Sequence, residues 1–477
     1  MDQAEANHLI SDHKNESNLK TKYSQLLYNM WMMSYPNILI FVANNFVITF
    51  IYHYLSDYPP IATTAYSIGY TMQNLFSITY IIGMNTAIDT LCSQTFGMKE
   101  YRKCCNYFYA GILVCIFFCI LSFIPSCFGY SIMKLMQFEE EICSRAAPYL
   151  TIGFPFIFFT IIYDAFRRYL AAQKIMNPPF IITTINYSLQ LIHSYFFIKA
   201  FGDIGAVYSN TLTVICNIVM LIIYVWYTDI CKETFFKIDI KEILASLRNY
   251  GSKALPGAIN FGGELLSYYI LNLFSASLGI VHSAVNGLMV NLNLLYYAIP
   301  VGFGAGCCTL VGNSLGSNNG QVAFDYAVIG IIINEVLTII VHFFVLVFKH
   351  PVIRFFAQDS TEIQVFESTL LWLIISIIFD NCQGVTNRIF TGMGYQAKAS
   401  LIILITYFPI MLPMAYFLKN IFGLYGIWMT TTFCYFVISL FELIIIFKTD
   451  FVKLALEKQF EQKKNEQPND KEMLLIN

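Results

Sequence analysis

The heptapeptide "LCSQTFG" at 91–97 returns as "LVGNSLG" at 310–316, 219 residues further along the chain. "FGDIGAVYSNT" at 201–211 returns as "FGLYGIWMTTT" at 422–432, an offset of 221. Single landmarks keep the same order at nearly the same spacing: Pro36 and Pro256, Gly97 and Gly316, Gln173 and Gln396, Gly205 and Gly426. Each match is weak alone. Ordered matches at one period are the signature of a chain built from two copies of one unit.

The repeated unit is made for lipid. Of 477 residues, 57% are apolar and 12% charged, about half the charge of an ordinary soluble domain. Runs of about 20 apolar residues, enough to cross a ~30 Å hydrocarbon core as a helix, fall at 26–52, 64–88, 107–128, 147–170, 180–200, 205–228, 255–278, 283–308, 324–348, 366–387, 399–419 and 424–447. None alternates at the β-barrel period, and only helices or closed barrels satisfy their backbone in hydrocarbon. The fold class predicted is an all-α polytopic membrane protein of twelve transmembrane helices. Six spans per copy is even, so both copies enter the membrane in the same sense, and a two-fold axis along the membrane normal should relate them. The expected divisions are a tail at 1–23, an N-lobe at 24–228, a linker with an amphipathic helix at 229–253, a C-lobe at 254–447 and a second tail at 448–477.

Lysine and arginine set the orientation. With the N-terminus inside, 22 of the 28 fall on inner segments, and short loops rich in them stay cytoplasmic. Both termini are therefore expected in the cytoplasm. The start, "MDQAEANHLISDHKNESNLK", has no apolar core and does not read as a signal peptide. Residues 1–22 and 449–477 are polar, without an apolar face, and are expected to be disordered and dispensable. They carry two acidic dileucine patterns, "EANHLI" (Glu5, Leu9, Ile10) and "DKEMLL" (Asp470, Leu474, Leu475), which suit sorting to endosomal or vacuolar membranes as an alternative to the plasma membrane. The thirteen cysteines read as small packing residues. No cofactor, zinc site or nucleic-acid surface is indicated. The chain contains no Gly-Lys dipeptide and hence no phosphate-cradling GxxxxGK[ST] loop, so energy must come from an ion gradient or a partner.

Ionisable residues inside spans are costly and call for a reason. Glu264 stands in "LPGAINFGGELLSYYILNLF", 255–274, about 16 Å beyond Lys253 at 1.5 Å per residue, with no counter-ion on its own span. Asn260, Glu264, Ser267 and Tyr268 share one helix face, and Pro256 weakens the helix one turn from its inner end. Burial favours the neutral form of such a carboxyl, so Glu264 is expected to hold and release a proton. Asp380 heads a second stripe with Gln383, Asn387 and Thr391; the bland alternative is a structural pair with Arg388. Asn286, Asn293 and Tyr297 form a third stripe with Asn291 nearby, and Pro300 can open that helix. Asp164 reads as a local partner of Arg167 and Arg168, Asp89 as a hydrogen-bond acceptor, Glu335 as an inter-helix bond with Asn334 beside it, and Glu442 as snorkelling toward Lys448. His193, His282 and His342 read as packing or hydrogen-bonded residues.

Five stretches carry a resemblance: "AIDTLCSQTFGMK", "RRYLAAQ", "LPGAINFGGE", "IPVGFGAGCCTLVGNSLG" and "DNCQGVTNRIFTGMGYQ". In order and spacing they resemble the multidrug and toxic compound extrusion (MATE) transporters, in their eukaryotic branch, over about residues 30 to 447. The sequence departs from that pattern at Leu310 and Thr391, where arginines are frequent, at Tyr269, where some members carry a second glutamate, and at Asn44 and Asn45, where bacterial relatives use an aspartate. The resemblance implies secondary export of small organic solutes by alternating access between the lobes, driven by proton or sodium entry; a monomer is the default expectation, since the sequence says little about oligomeric state. It places the coupling acids at Glu264 and Asp380, since the eukaryotic glutamate lies eight residues after the same proline. The cavity is then expected from Asn260, Tyr268, Asn286, Asn291, Asn293, Tyr297, Gln383, Asn387, Asn44 and Asn45, with Pro36, Pro256 and Pro300 as hinges. Organic cations exchanged for protons is the first reading. The alternatives are sodium coupling, or a lipid-linked sugar flippase of the same broad superfamily, which would want a strongly cationic cavity. A membrane acyltransferase would need a histidine and acid pair beside a pocket-forming run, and neither His8/Asp12 nor His53/Asp57 has that setting.

Overall fold

The computed structural model describes residues 3–356 and 359–464, with side chains over 21–354 and 359–461. Every regular element among the described residues is helical. The N-lobe helices are α1 (Gln3–Leu55), α2 (Pro60–Gly97), α3 (Tyr101–Cys127), α4 (Glu140–Ile152 and Phe154–Ala172, bent by 45°), α5 (Asn177–Phe201) and α6 (Gly205–Thr228). The C-lobe helices are α7 (Ile240–Ala276), α8 (Ile280–Gly316), α9 (Gly320–Val347), α10 (Ser360–Met393), α11 (Gln396–Phe422) and α12 (Leu424–Lys448). A further helix, α13 (Phe451–Lys464), follows. By length and hydropathy nine segments among the described residues qualify as spans, and the bent α4 makes ten. One of the nine, Asn177–Thr228, is two helices folded back at Gly202, as antiparallel Ser194–Ser209, Gln190–Asn210 and Asn186–Asn217 bonds require. Adding α7, too polar to pass that test, reaches the twelve read from the sequence.

The two-fold repeat is visible in the backbone. Residues with positive φ recur in pairs: Lys99 (64°) with Asn318 (60°), Lys174 (63°) with Gly394 (79°), and Gly202 (68°) with Gly423 (60°). The contacts between copies are reciprocal as well. A side chain on Gly97 would collide with the Asn313 carbonyl, and one on Gly316 with that of Gln94. The Gln94 amide donates to Gly392 O at 2.9 Å, and the Asn313 amide to Ala172 O at 3.1 Å. One expected landmark fails. Lys174 matches Gly394, so Gln173, which closes α4, and Gln396, which opens α11, are not equivalents.

The lobes are interleaved rather than side by side. In α1, Leu26, Met30 and Met33 pack in a core built from α8, α9, α10, α12 and α13, whereas Val47, Ile51 and Leu55 join the N-lobe core. In α7, Ile243, Tyr250, Ala254 and Ala258 belong to the N-lobe core, and Leu271 to the C-lobe. Pro36 and Pro256 stand where each helix changes allegiance. Twelve spans bring both tails to one face, called here the tail face. Cross-lobe packing is concentrated in that half, where Gly83 meets Gly257 and Gly302 meets Ser34 and Ile38.

The expected tails are more ordered than their composition suggested. Helix α1 begins at Gln3, and α7 begins at Ile240 with an Asp239 cap, so most of the expected linker continues the seventh span. Helix α13 puts Phe451, Leu454 and Ala455 into the core of α8 and α9, because their spacing gives one apolar stripe that the flanking charges had masked. The side chains of "EANHLI" and all of "DKEMLL" lie outside the described residues.

Candidate functional site

Five helices of the C-lobe turn polar side chains toward one another. Asp380 on α10 accepts from Asn293 on α8 at 3.1 Å, not from Arg388. Gln383, one turn on, donates to the Tyr407 hydroxyl at 2.9 Å. Asn387 and Asn260 exchange amide bonds at 2.8 and 3.2 Å, which ties α10 to α7. Tyr268 meets the Tyr435 hydroxyl, and Tyr297 packs its ring on Phe41 of α1 at 6.3 Å. Asn286 bonds Asn272 at 2.8 Å, so it braces α8 against α7. Asn291 points off the Asn286–Asn293 face and is exposed.

Glu264 sits among these groups with no hydrogen-bond or ion-pair partner among the described residues. The charges nearest to it in effect are those of Asp380 and Arg388. Tyr268, Tyr297 and Tyr407 lie within its electrostatic reach. Thus α7 and α10 set two acids among the same aromatic and amide side chains: Asp380 is anchored by Asn293, and Glu264 has no hydrogen-bond or ion-pair partner among the described residues.

Glu442 overturns its expected placement. It is fully buried and accepts from Thr386 at 2.5 Å, with its other oxygen unpartnered. The direction of α12 turns it inward, so it cannot snorkel toward Lys448. Its membership was detectable, because Tyr435, Ser439 and Glu442 form a stripe at i, i+4 and i+7. The Asn334 amide reaches Glu335 at 3.0 Å and also the Asn381 carbonyl of α10. His342 bridges Thr338 O and Ile374 O, and His193 meets Ser209 and Thr213.

The N-lobe holds a separate polar cavity of about 360 Å³, lined by Asn37, Asn44, Asn74, Arg167, Asn210 and Asn217 among others. Asn44 faces it, whereas Asn45 turns back to the Phe41 carbonyl of its own helix at 2.8 Å. Its charges are compensated. Arg167 holds Asp164 at 2.9 Å and Asn37 at 2.9 Å, and Arg168 holds Asp164 at 2.7 Å and also Asp89. Asp89 is therefore an ion-pair acceptor, and it reaches Arg388 of the C-lobe at 3.4 Å.

Pro36 and Pro256 lie inside continuous helices, and a break at Tyr297 precedes Pro300, against which Gly384 packs.

Two stretches, 34–196 and 256–417, match the family described as MatE, one in each copy of the repeat. Among curated proteins, Protein DETOXIFICATION 17 of Arabidopsis thaliana is 25% identical over 374 residues, which span 77% of this chain and 78% of that one. Multidrug and toxin extrusion protein 1 of Oryctolagus cuniculus is 22% identical over 374 residues, 78% of this chain and 66% of the relative. Among solved structures, that of the eukaryotic MATE transporter AtDTX14 superposes with a TM-score of 0.84 at 18% identity, covering 92% of this chain and 99% of that one. An outward-facing MATE family transporter of the MOP superfamily gives 0.77 at 16% identity, covering 92% and 98%.

Proposed function

Since the chain belongs to the MatE family of multidrug and toxic compound extrusion transporters, we propose that it exports organic solutes, organic cations among them, in exchange for protons. The observation that carries this reading is the placing of Glu264, unpartnered among the described residues, within the field of Asp380. Neither acid has an ion-pair partner among the described residues, and burying two negative charges near one another is costly. One proton or one cationic solute relieves that cost, and the two compete for the same place. Antiport needs this competition. Glu264, unanchored, is the exchanging group; Asp380, fixed by Asn293, holds the field that makes Glu264 sensitive to its occupant.

Asn260, Asn387, Gln383 and Tyr268 supply hydrogen bonds at the cavity wall, and Tyr297 supplies an aromatic face for a cation. Pro36 and Pro256 are the bending points, because each divides a helix between the two lobes. The lysine and arginine distribution supports both tails in the cytoplasm. Tail-side closure is then the outward-facing state of a monomer, in the plasma membrane or an endosomal or vacuolar one. A flippase for a lipid pyrophosphate would want unpaired cations, whereas Arg167, Arg168 and Arg388 all hold carboxylates.

The test is efflux from proteoliposomes under an imposed pH or sodium gradient, with one organic cation and one organic anion. The reading expects cation movement driven by the pH gradient and none by sodium alone. Anion movement, or sodium-driven cation movement at uniform pH, would overturn it.

A further inference from the structure

Arg168 and Arg388 stand 220 residues apart and are equivalents under the internal two-fold. Both converge on one carboxylate, Asp89 of α2. The equivalent of Asp89 is Cys308, so a symmetric frame holds an asymmetric charge. The cluster contains three guanidinium groups, Arg167, Arg168 and Arg388, and two carboxylates, Asp89 and Asp164. It carries one positive charge too many. Arg167 and Arg168 are taken up by Asp164 within the N-lobe, which leaves Arg388 as the least engaged of the three. Among the described residues its one carboxylate contact crosses the lobe boundary, at 3.4 Å.

Arg388 also stands beside the turn of α7 that carries Glu264, close enough for their charges to interact. Its guanidinium lies 5.2 Å from the Phe261 ring on α7, one turn before Glu264, and Gly304 leaves room for its stem. The groups facing this region are Asp89 from α2, Asp164, Arg167 and Arg168 from α4, Glu264 from α7, Tyr297 and Cys308 from α8, Asp380 from α10, Tyr407 from α11 and Glu442 from α12.

We propose that Arg388 is the positioning residue that links the transport cavity to tail-side closure, by dividing itself between Asp89 across the lobe boundary and Glu264 in the cavity. With Glu264 neutral, Asp89 is its only carboxylate partner among the described residues and the lobes are latched at the tail face. When Glu264 is ionised, it competes for the same guanidinium and the latch loosens. Charge at the cavity is thereby read at the gate through one side chain. The link rests on Glu264 as the exchanging acid, yet its test needs neither solute nor gradient.

Hydrogen exchange of the purified full-length protein would be followed in residues 83–97 and 302–316, where the lobes meet, with exchange corrected for its intrinsic pH dependence. Arg388→Gln is expected to speed exchange there about tenfold or more while α5 and α6 stay as in the parent. Arg388→Lys, which keeps the charge, should stay near the parent. Glu264→Gln should abolish the loosening that the parent shows as pH rises. Should Arg388→Gln not yield folded protein, Asp89→Asn, which removes the same cross-lobe pair, takes its place with the same expectation. Exchange in both segments within twofold of the parent for the latch variant, or pH-dependent loosening that survives in Glu264→Gln, would overturn the proposal. Failure of proton-driven efflux with a normal exchange result would instead count against the transport reading.

Discussion

Phe451 lies three residues beyond the last span, in a stretch whose composition suggests a solvated tail. It is 3% exposed, with its ring 5.4 Å from that of Phe324 at 64° and its backbone against Gly320. Phe451→Ala removes a buried aromatic side chain, a change that costs about 3–5 kcal/mol in packed cores. Of this, about 0.5–1.5 kcal/mol belongs to the ring pair. Phe460 on the same helix is 69% exposed, and its replacement by alanine should stay within about 0.5 kcal/mol. Thermal unfolding of the purified protein in detergent, scanned at one rate because such unfolding is often irreversible, should show Phe451→Ala melting several degrees lower and Phe460→Ala unchanged. Truncation after Lys448 should be at least as damaging as Phe451→Ala. Equal melting of the two variants would refute the seating of α13 in the core.

Gly97→Val should prevent tail-side closure, since its side chain would enter the Asn313 carbonyl; transport should fall well below the parent while the protein remains folded and monodisperse, and normal transport would count against the gate. Glu442→Gln keeps an acceptor for Thr386 and should cost less than about 1 kcal/mol, whereas Glu442→Ala should cost about 2–4 kcal/mol through the cavity it leaves. Comparing their melting curves distinguishes a buried hydrogen-bonded acid from a surface one.

The architecture was legible because its signals are local. Hydropathy marks the spans, and the small residues needed where helices cross, such as Gly97 and Gly316, recur in both copies. Asp380 with Gln383 and Asn387 was legible for the same reason, as one stripe on one helix. The ion pairs were not. Asp89 and Arg388 are 299 residues apart, and no periodicity relates them. Glu442 was misplaced because sequence distance to Lys448 stood in for depth, while its partner Thr386 came from another helix. The N-lobe cavity assembles single amides from several helices, each unremarkable on its own. In α13, the stripe Phe451, Leu454, Ala455 and Lys458 was present but diluted by surrounding charge.

The central claim, that Glu264 exchanges a proton for solute, is tested most directly by Glu264→Gln in proteoliposomes. Glutamine is close in shape to the neutral carboxyl and cannot ionise, so folding should be preserved. Export driven by a pH gradient should be abolished, and any remaining solute movement should be flat between about pH 5.5 and 8.5, because the group whose charge burial controls is gone. A Gln variant that exports like the parent, with the parent's pH dependence, would contradict the account.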